Sequence, residues 1–172
     1  INGTDVAKDS ADMVLADDNF ASIVSAVEEG RGIFDNIRHF IRYLRSSNIG
    51  EVMAIFVAML IGLPLPLIAV QILLMNLLTD GLPALALGVD PPVPKIMERP
   101  PRDPREGAIT KETWMFSIVV GLTMMIGTVG IFWANLDAGL NYARTLAFTT
   151  IVMFQMFNIF NARAVKSILK DT

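Results

Sequence analysis

The chain has no cysteine and only one histidine. The first absence excludes disulfides and thiolate metal sites, although it does not fix a compartment. Charge is nearly balanced: 14 Lys and Arg stand against 17 Asp and Glu, for a net charge of −3. So small an imbalance gives no reason to expect a nucleic-acid partner. No signal peptide is expected at this start, because the chain opens Ile1-Asn2-Gly3-Thr4-Asp5, polar and without an initiator Met. That start reads as a cut through a larger protein. The polar first 20 residues are too few to bury a core of their own. No internal repeat is visible.

What the chain has instead is apolar residue in clusters. It is 53% hydrophobic with a mean hydropathy of +0.51, too apolar for an ordinary soluble domain. In residues 1–20, Thr4 or Asp5 is placed to cap a short helix through Ala11, and Met13-Val14-Leu15-Ala16 reads as a short buried strand. From Ala21 the apolar spacing becomes helical through Ile23, Val27, Ile33, Ile37, Phe40, Ile41 and Leu44. No strong stop comes before Gly62-Leu63-Pro64-Leu65-Pro66. A helix over 21–61 would run about 60 Å, twice the ~30 Å hydrocarbon core of a bilayer. Residues 21–45 are therefore expected as a stalk in water and 46–61 as a membrane span. Further spans are expected at 67–89, 113–136 and 141–164, with a proline-rich loop at 90–112 and a tail at 165–172. The expected fold class is all-α and membrane-embedded, a long stalk helix continuing into a four-helix bundle after a short α/β segment. Lys and Arg gather in the stalk, the 90–112 loop and the tail, and 62–66 and 136–140 have none. That asymmetry puts both ends of the chain in the cytoplasm.

Two carboxylates lie within these spans. Glu51 follows Ser46-Ser47-Asn48-Ile49-Gly50, and Asp80 lies in Asn76-Leu77-Leu78-Thr79-Asp80-Gly81-Leu82-Pro83. An ionised group at a bilayer centre costs about 2.5–3.5 kcal/mol on an insertion scale. Asn48 and Glu51 are three apart on a helix, and Asn76 and Asp80 four apart, so each carboxylate shares a face with an amide. Gly81 and Pro83 are expected to interrupt the second span and free carbonyls beside Asp80. All the donors are oxygens, which suit a hard cation such as calcium. Zinc and copper recruit His or Cys more often, and these spans contain neither. Gln155, Asn158 and Asn161 recur on the fourth span, where helix-to-helix packing is the commoner role of such amides. His39 lies in the basic stalk and reads as solvated or interfacial, and Asp17-Asp18 reads as a turn. Arg99-Pro100-Pro101-Arg102 reads as a stiff basic loop, either a cytoplasmic contact or an interfacial anchor.

These segments resemble a known family. Val14-Leu15-Ala16-Asp17-Asp18-Asn19-Phe20, Val27-Glu28-Glu29-Gly30-Arg31 and Phe40-Ile41-Arg42-Tyr43-Leu44 look like the end of the phosphorylation domain and the stalk of P-type ATPases. Ser46 to Glu51, Asn76 to Ala84, and Ile96-Met97-Glu98-Arg99-Pro100-Pro101-Arg102 resemble the fifth helix, the sixth helix and the following loop of the calcium-pump branch. The likeness runs from Thr4 to about Thr110 and is weaker beyond, where it implies the seventh and eighth helices. It implies an ATP-driven exporter of calcium in the P2, sarcoplasmic-reticulum-like branch, with Asn48, Glu51, Asn76, Thr79 and Asp80 as ligands. It also implies a stalk, from Val27 to Arg45, that couples phosphorylation to the site. Sarcoplasmic-reticulum-type pumps carry a Glu ligand on the eighth helix where this chain has Gln155, so the resemblance supports one calcium better than two. The phosphorylatable Asp-Lys-Thr-Gly-Thr and the nucleotide domain are not in this chain. ATP and Mg2+ are accordingly expected on the remaining domains of the same pump, and the chain alone is expected to be inactive. The expected surroundings are a lipid bilayer, in a compact pump of a bacterial plasma membrane. Other transported ions (Mn2+, Na+ or H+) and a non-catalytic membrane interaction module stay open as alternatives.

Overall fold

The computed structural model describes residues 3–17, 19–101 and 107–164. Helix α1 is Asp5–Asp9, and the Thr4 hydroxyl accepts from the Ala7 N–H at 3.3 Å. No strand forms among the described residues. The strand expected at 13–16 is instead irregular, with Met13 and Val14 exposed. A strand needs a neighbour to take its backbone groups, and no described segment supplies one. Asp17 makes the expected turn: its carboxylate accepts from the Asn19 N–H at 3.1 Å and the Ser22 hydroxyl at 2.5 Å. The Ser22 hydroxyl, with the Asn19 N–H, holds the Asp17 carboxyl below its ordinary pKa. Asp18 lies outside the described residues.

Helix α2 is Phe20–Leu60, 41 residues without a break. Asn19 caps its start, its side-chain oxygen accepting from the Ala21 N–H at 3.0 Å. At the far end Gly62 adopts a φ of 75°. Its N–H donates to Met59 at 3.1 Å and that of Leu63 to Ala58 at 2.9 Å. This paired closure needs a left-handed residue, which glycine takes without a Cβ penalty. Helix α3, Ala69–Leu74, passes through a π-helical turn, Met75–Gly81, into α4, Leu82–Gly88. Helices α5, Lys111–Ala134, and α6, Leu140–Ala164, complete the set. Among the described residues, three helical stretches are long and apolar enough to cross a membrane: Ala69–Gly88, Lys111–Ala134 and Leu140–Ala164. The distal end of α2 packs beside them, and its polar run Ser46 to Glu51 dilutes its apolar character.

Small residues let the helices approach, as they do where no water drives association. A Cβ on Gly121 of α5 would fall 2.5 Å from Ile49 and 3.2 Å from the Gly50 nitrogen. Helix α6 turns Ala143, Ala147, Ile151, Gln155, Asn158 and Ala162 inward, at steps of three and four. Outside the apolar stretch, the segment after α4 is fastened to the stalk. Asn36 donates to the carbonyls of Gly88 at 3.3 Å and Asp90 at 2.8 Å. Arg31 donates to those of Ile96 at 3.0 Å and Arg99 at 2.8 Å. Arg99 pairs with Asp35 at 2.7 Å, and Arg163 of α6 forks onto Asp90 at 2.6 and 2.9 Å. The 96–101 part of the basic loop is thus a contact with the stalk, whereas Arg102 lies outside the described residues.

Candidate cation site

The expected break at Asp80 takes a particular form. The chain does not unwind; it widens into the π-helical turn that carries Asn76, Thr79, Asp80 and Gly81. Pro83 explains the placement. It has no N–H to give the Thr79 carbonyl four residues back. The Tyr43 hydroxyl of α2 donates to that carbonyl instead. Tyr43 is fully buried, with its ring in an apolar cluster of Ala84, Leu87 and Ala162. An α2 side chain therefore supplies the donor that the proline removes.

One hydrogen-bonded chain joins three helices at this level. Gln155 of α6 donates from Nε2 to Glu51 Oε1 at 2.5 Å. Its Oε1 accepts from the Thr79 hydroxyl at 2.6 Å. Thr79 Oγ1 also lies 3.0 Å from the Met75 carbonyl, and its single proton serves one acceptor at a time. Glu51 is 4% exposed and Gln155 wholly buried. Asp80, next to Thr79, is 3% exposed, and neither of its carboxylate oxygens has a partner among the described residues. An unpaired buried carboxylate is costly unless a proton or a cation answers it. The arrangement can therefore take up a positive charge beside two carboxylates, an amide and a hydroxyl.

The remaining candidates lie elsewhere. Asn48 is exposed, and its Nδ2 donates to the Leu44 carbonyl of its own helix at 2.8 Å. Asn76 is exposed as well. Both stand outside the Glu51–Gln155–Thr79 chain. Toward the stalk, Asn158 donates to the Ser46 hydroxyl at 2.7 Å, while Asn158 Oδ1 and Ser47 Oγ are buried without partners among the described residues. Asn161 is exposed, because three-residue steps drift around a helix of 3.6 residues per turn. His39 is half-buried, with Nδ1 enclosed and without a partner among the described residues. No group of three or more His, Cys, Asp or Glu gathers among the described residues. Ser46 and Tyr43 escaped the sequence reading. The signal for Tyr43 was register: Tyr43, Ser47 and Glu51 recur every four residues on one face of α2.

Comparison with known proteins points in one direction. Residues 64–172 match the family model described as "Cation transporting ATPase, C-terminus". The chain is also 46% identical, over 172 residues, to a "Calcium-transporting ATPase" of Bacillus subtilis (strain 168). That match takes in 98% of this chain and 19% of the relative, so the chain spans about a fifth of the relative's length.

Proposed function

Since the chain belongs to the cation-transporting ATPases, as part of the C-terminal region of one, we propose that it forms the membrane ligand cluster and stalk of an ATP-driven calcium exporter. The observation that carries this reading is Asp80, enclosed with both oxygens unpartnered, beside a hydrogen-bonded chain that ends on Glu51. Calcium, as cargo, would replace the missing partners with its own charge, and it accepts a mixed set of carboxylate, amide and hydroxyl oxygens. Glu51, Thr79 and Asp80 are the central ligands in this reading. Asn48 and Asn76 complete the set from the rim, with Gln155 offering a carbonyl oxygen. Gln155 adds no charge, so the reading is of one calcium per cycle.

Helix α2 is the coupling element. It runs unbroken from a capped start at Asn19 to Glu51 and beyond, so a displacement at its cytoplasmic end reaches the ligands. ATP and Mg2+ belong to the rest of the pump. The protein sits in a bacterial plasma membrane with the stalk, the 90–112 loop and the tail on the cytoplasmic face. The name of the Bacillus relative favours calcium over manganese, sodium or protons.

The test uses the full-length pump. Calcium should drive formation of the phosphorylated enzyme, and Asp80→Asn should abolish that dependence. Phosphorylation that keeps its calcium sensitivity in Asp80→Asn would remove Asp80 from the site. Activation by sodium or manganese, with none by calcium, would keep the pump and change the cargo.

A further inference from the structure

Gln155 spans the cation site with the two ends of its amide. Nε2 donates to Glu51 Oε1 at 2.5 Å, and Oε1 accepts from the Thr79 hydroxyl at 2.6 Å. The residue is wholly buried, so water does not stand in for either partner. An amide nitrogen only donates and an ionised carboxylate only accepts, which gives the amide its orientation. That orientation turns hydrogens, with their positive charge, toward Glu51. Calcium binds through oxygens, about six to eight of them. An ion shared by Glu51 and Asp80 lies against an amide that reaches from Glu51 to the residue before Asp80. The donor end of that amide then opposes the ion.

The same side chain can remove the conflict. A half turn about the bond to its amide exchanges nitrogen and oxygen at almost constant shape. Oε1 then meets the ion at Glu51, and Nε2 meets Thr79. The turn requires Thr79 to change from donor to acceptor. Its Oγ1 lies 3.0 Å from the Met75 carbonyl, which can take the hydroxyl hydrogen while the oxygen accepts from Nε2. Gln155 and Thr79 therefore keep partners in both orientations.

We infer that Gln155 is a two-way ligand. Its amide answers Glu51 with Nε2 until calcium binds, then turns to offer Oε1 to the ion and Nε2 to Thr79, whose hydroxyl swings onto the Met75 carbonyl. The inference rests on the calcium site proposed above. It gives Met75, the first residue of the π-helical turn, a bond that follows the occupancy of Glu51 on another helix.

The experiment is solid-state NMR of the full-length pump in lipid vesicles, made by cell-free synthesis with 15N in the Gln side chains and 13C in the Glu carboxyls. Without calcium, a short-range 15N–13C contact should appear that Gln155→Leu lacks. Gln155→Glu, closer in shape, gives the same assignment if the leucine variant does not fold. Calcium at a concentration that saturates phosphorylation should abolish this contact. Thr79→Ser keeps the hydroxyl and should keep the calcium response. Thr79→Val leaves the turned Nε2 without an acceptor, so the contact should persist in part. Calcium for half-maximal phosphorylation should also rise about tenfold there, the effect of one unmet donor. A contact that survives saturating calcium, in a pump that calcium does phosphorylate, would overturn the turning amide alone. Complete loss of the contact in Thr79→Val would overturn the part given to Thr79. Failure of calcium to drive phosphorylation of the wild-type pump would overturn the calcium site itself.

Discussion

Replacing Tyr43 by Phe tests the link between the stalk helix and the cation site. The ring and its packing against Ala84, Leu87 and Ala162 are kept, and only the hydroxyl that donates to the Thr79 carbonyl is lost. Tyr43 is wholly buried, so water does not take over the bond. An acceptor left unpaired in such a place costs about 1–3 kcal/mol. Pro83→Ala provides the internal control, since it returns an N–H to the position that would serve the same carbonyl in a regular helix. If the hydroxyl stands in for that N–H, Tyr43→Phe should cost less in the Pro83→Ala background. The difference should reach about 0.5–3 kcal/mol, the range for residues that share a partner. The assay is thermal unfolding of the full-length pump in detergent for the four members of the cycle, together with the calcium dependence of phosphorylation. Calcium affinity should fall alongside stability, because Thr79 and Asp80 sit on the turn that the bond holds. Equal costs of Tyr43→Phe in both backgrounds would refute the substitution argument.

Gln155→Leu removes a bond to Glu51 and one to Thr79 at nearly constant volume. A bond to a charged group contributes about 1.5–3 kcal/mol, so calcium for half-maximal phosphorylation should rise at least about tenfold. Gly121→Ala drives a methyl into Ile49 and toward the α2 backbone, and overpacking of this kind costs about 1–3 kcal/mol. Gly130→Ala meets nothing within 4 Å and should be neutral or gain up to about 1 kcal/mol from helix propensity; thermal midpoints separate the two. His39 is held below its ordinary pKa, first by burial and then by Arg42 and Arg163, against Asp35 and Asp90. The unfolded chain therefore takes up the proton first, near pH ~6.5, so stability is complete above that pH and declines as pH falls toward the folded value. His39→Gln should flatten that slope in thermal unfolding measured across the range.

The large elements were legible because long apolar periodicity and helix stops are local signals. Asn19 and Gly62 bound α2 through their own side-chain and backbone chemistry, and both can be read from neighbouring residues. Glu51 and Asp80 were legible as well, because charge within an apolar stretch stands out without knowledge of packing. The bonds among them were not. Whether Gln155 reaches Glu51 depends on the rotation of α6 against α2, and the inward stripe from Ala143 to Ala162 defines that rotation only once the neighbours are in place. Asn48 lies three residues from Glu51 and Ser47 four, both within reach on a helix, yet a turn of about 100° per residue puts Asn48 at the rim and Ser47 inside. The expected strand at 13–16 shows the opposite failure. Its β-branched and apolar residues fit a strand, but pairing is a property of two segments, and one alone does not express it.

The π-helical turn at Met75–Gly81 has a consequence for how the site can change. Such a turn holds one residue more than a regular helix would use over the same rise. It is a slack coil of chain, pinned from the side by Tyr43 and relieved of one backbone donor by Pro83. Tightening it would turn the residues on one side of it by about 100° relative to those on the other. Asp80 lies within that turn, so the face it presents would change with it. The facing of the carboxylate is thus tied to the winding of its own helix, and through α4 to the packing of Ala84 and Leu87 on Tyr43.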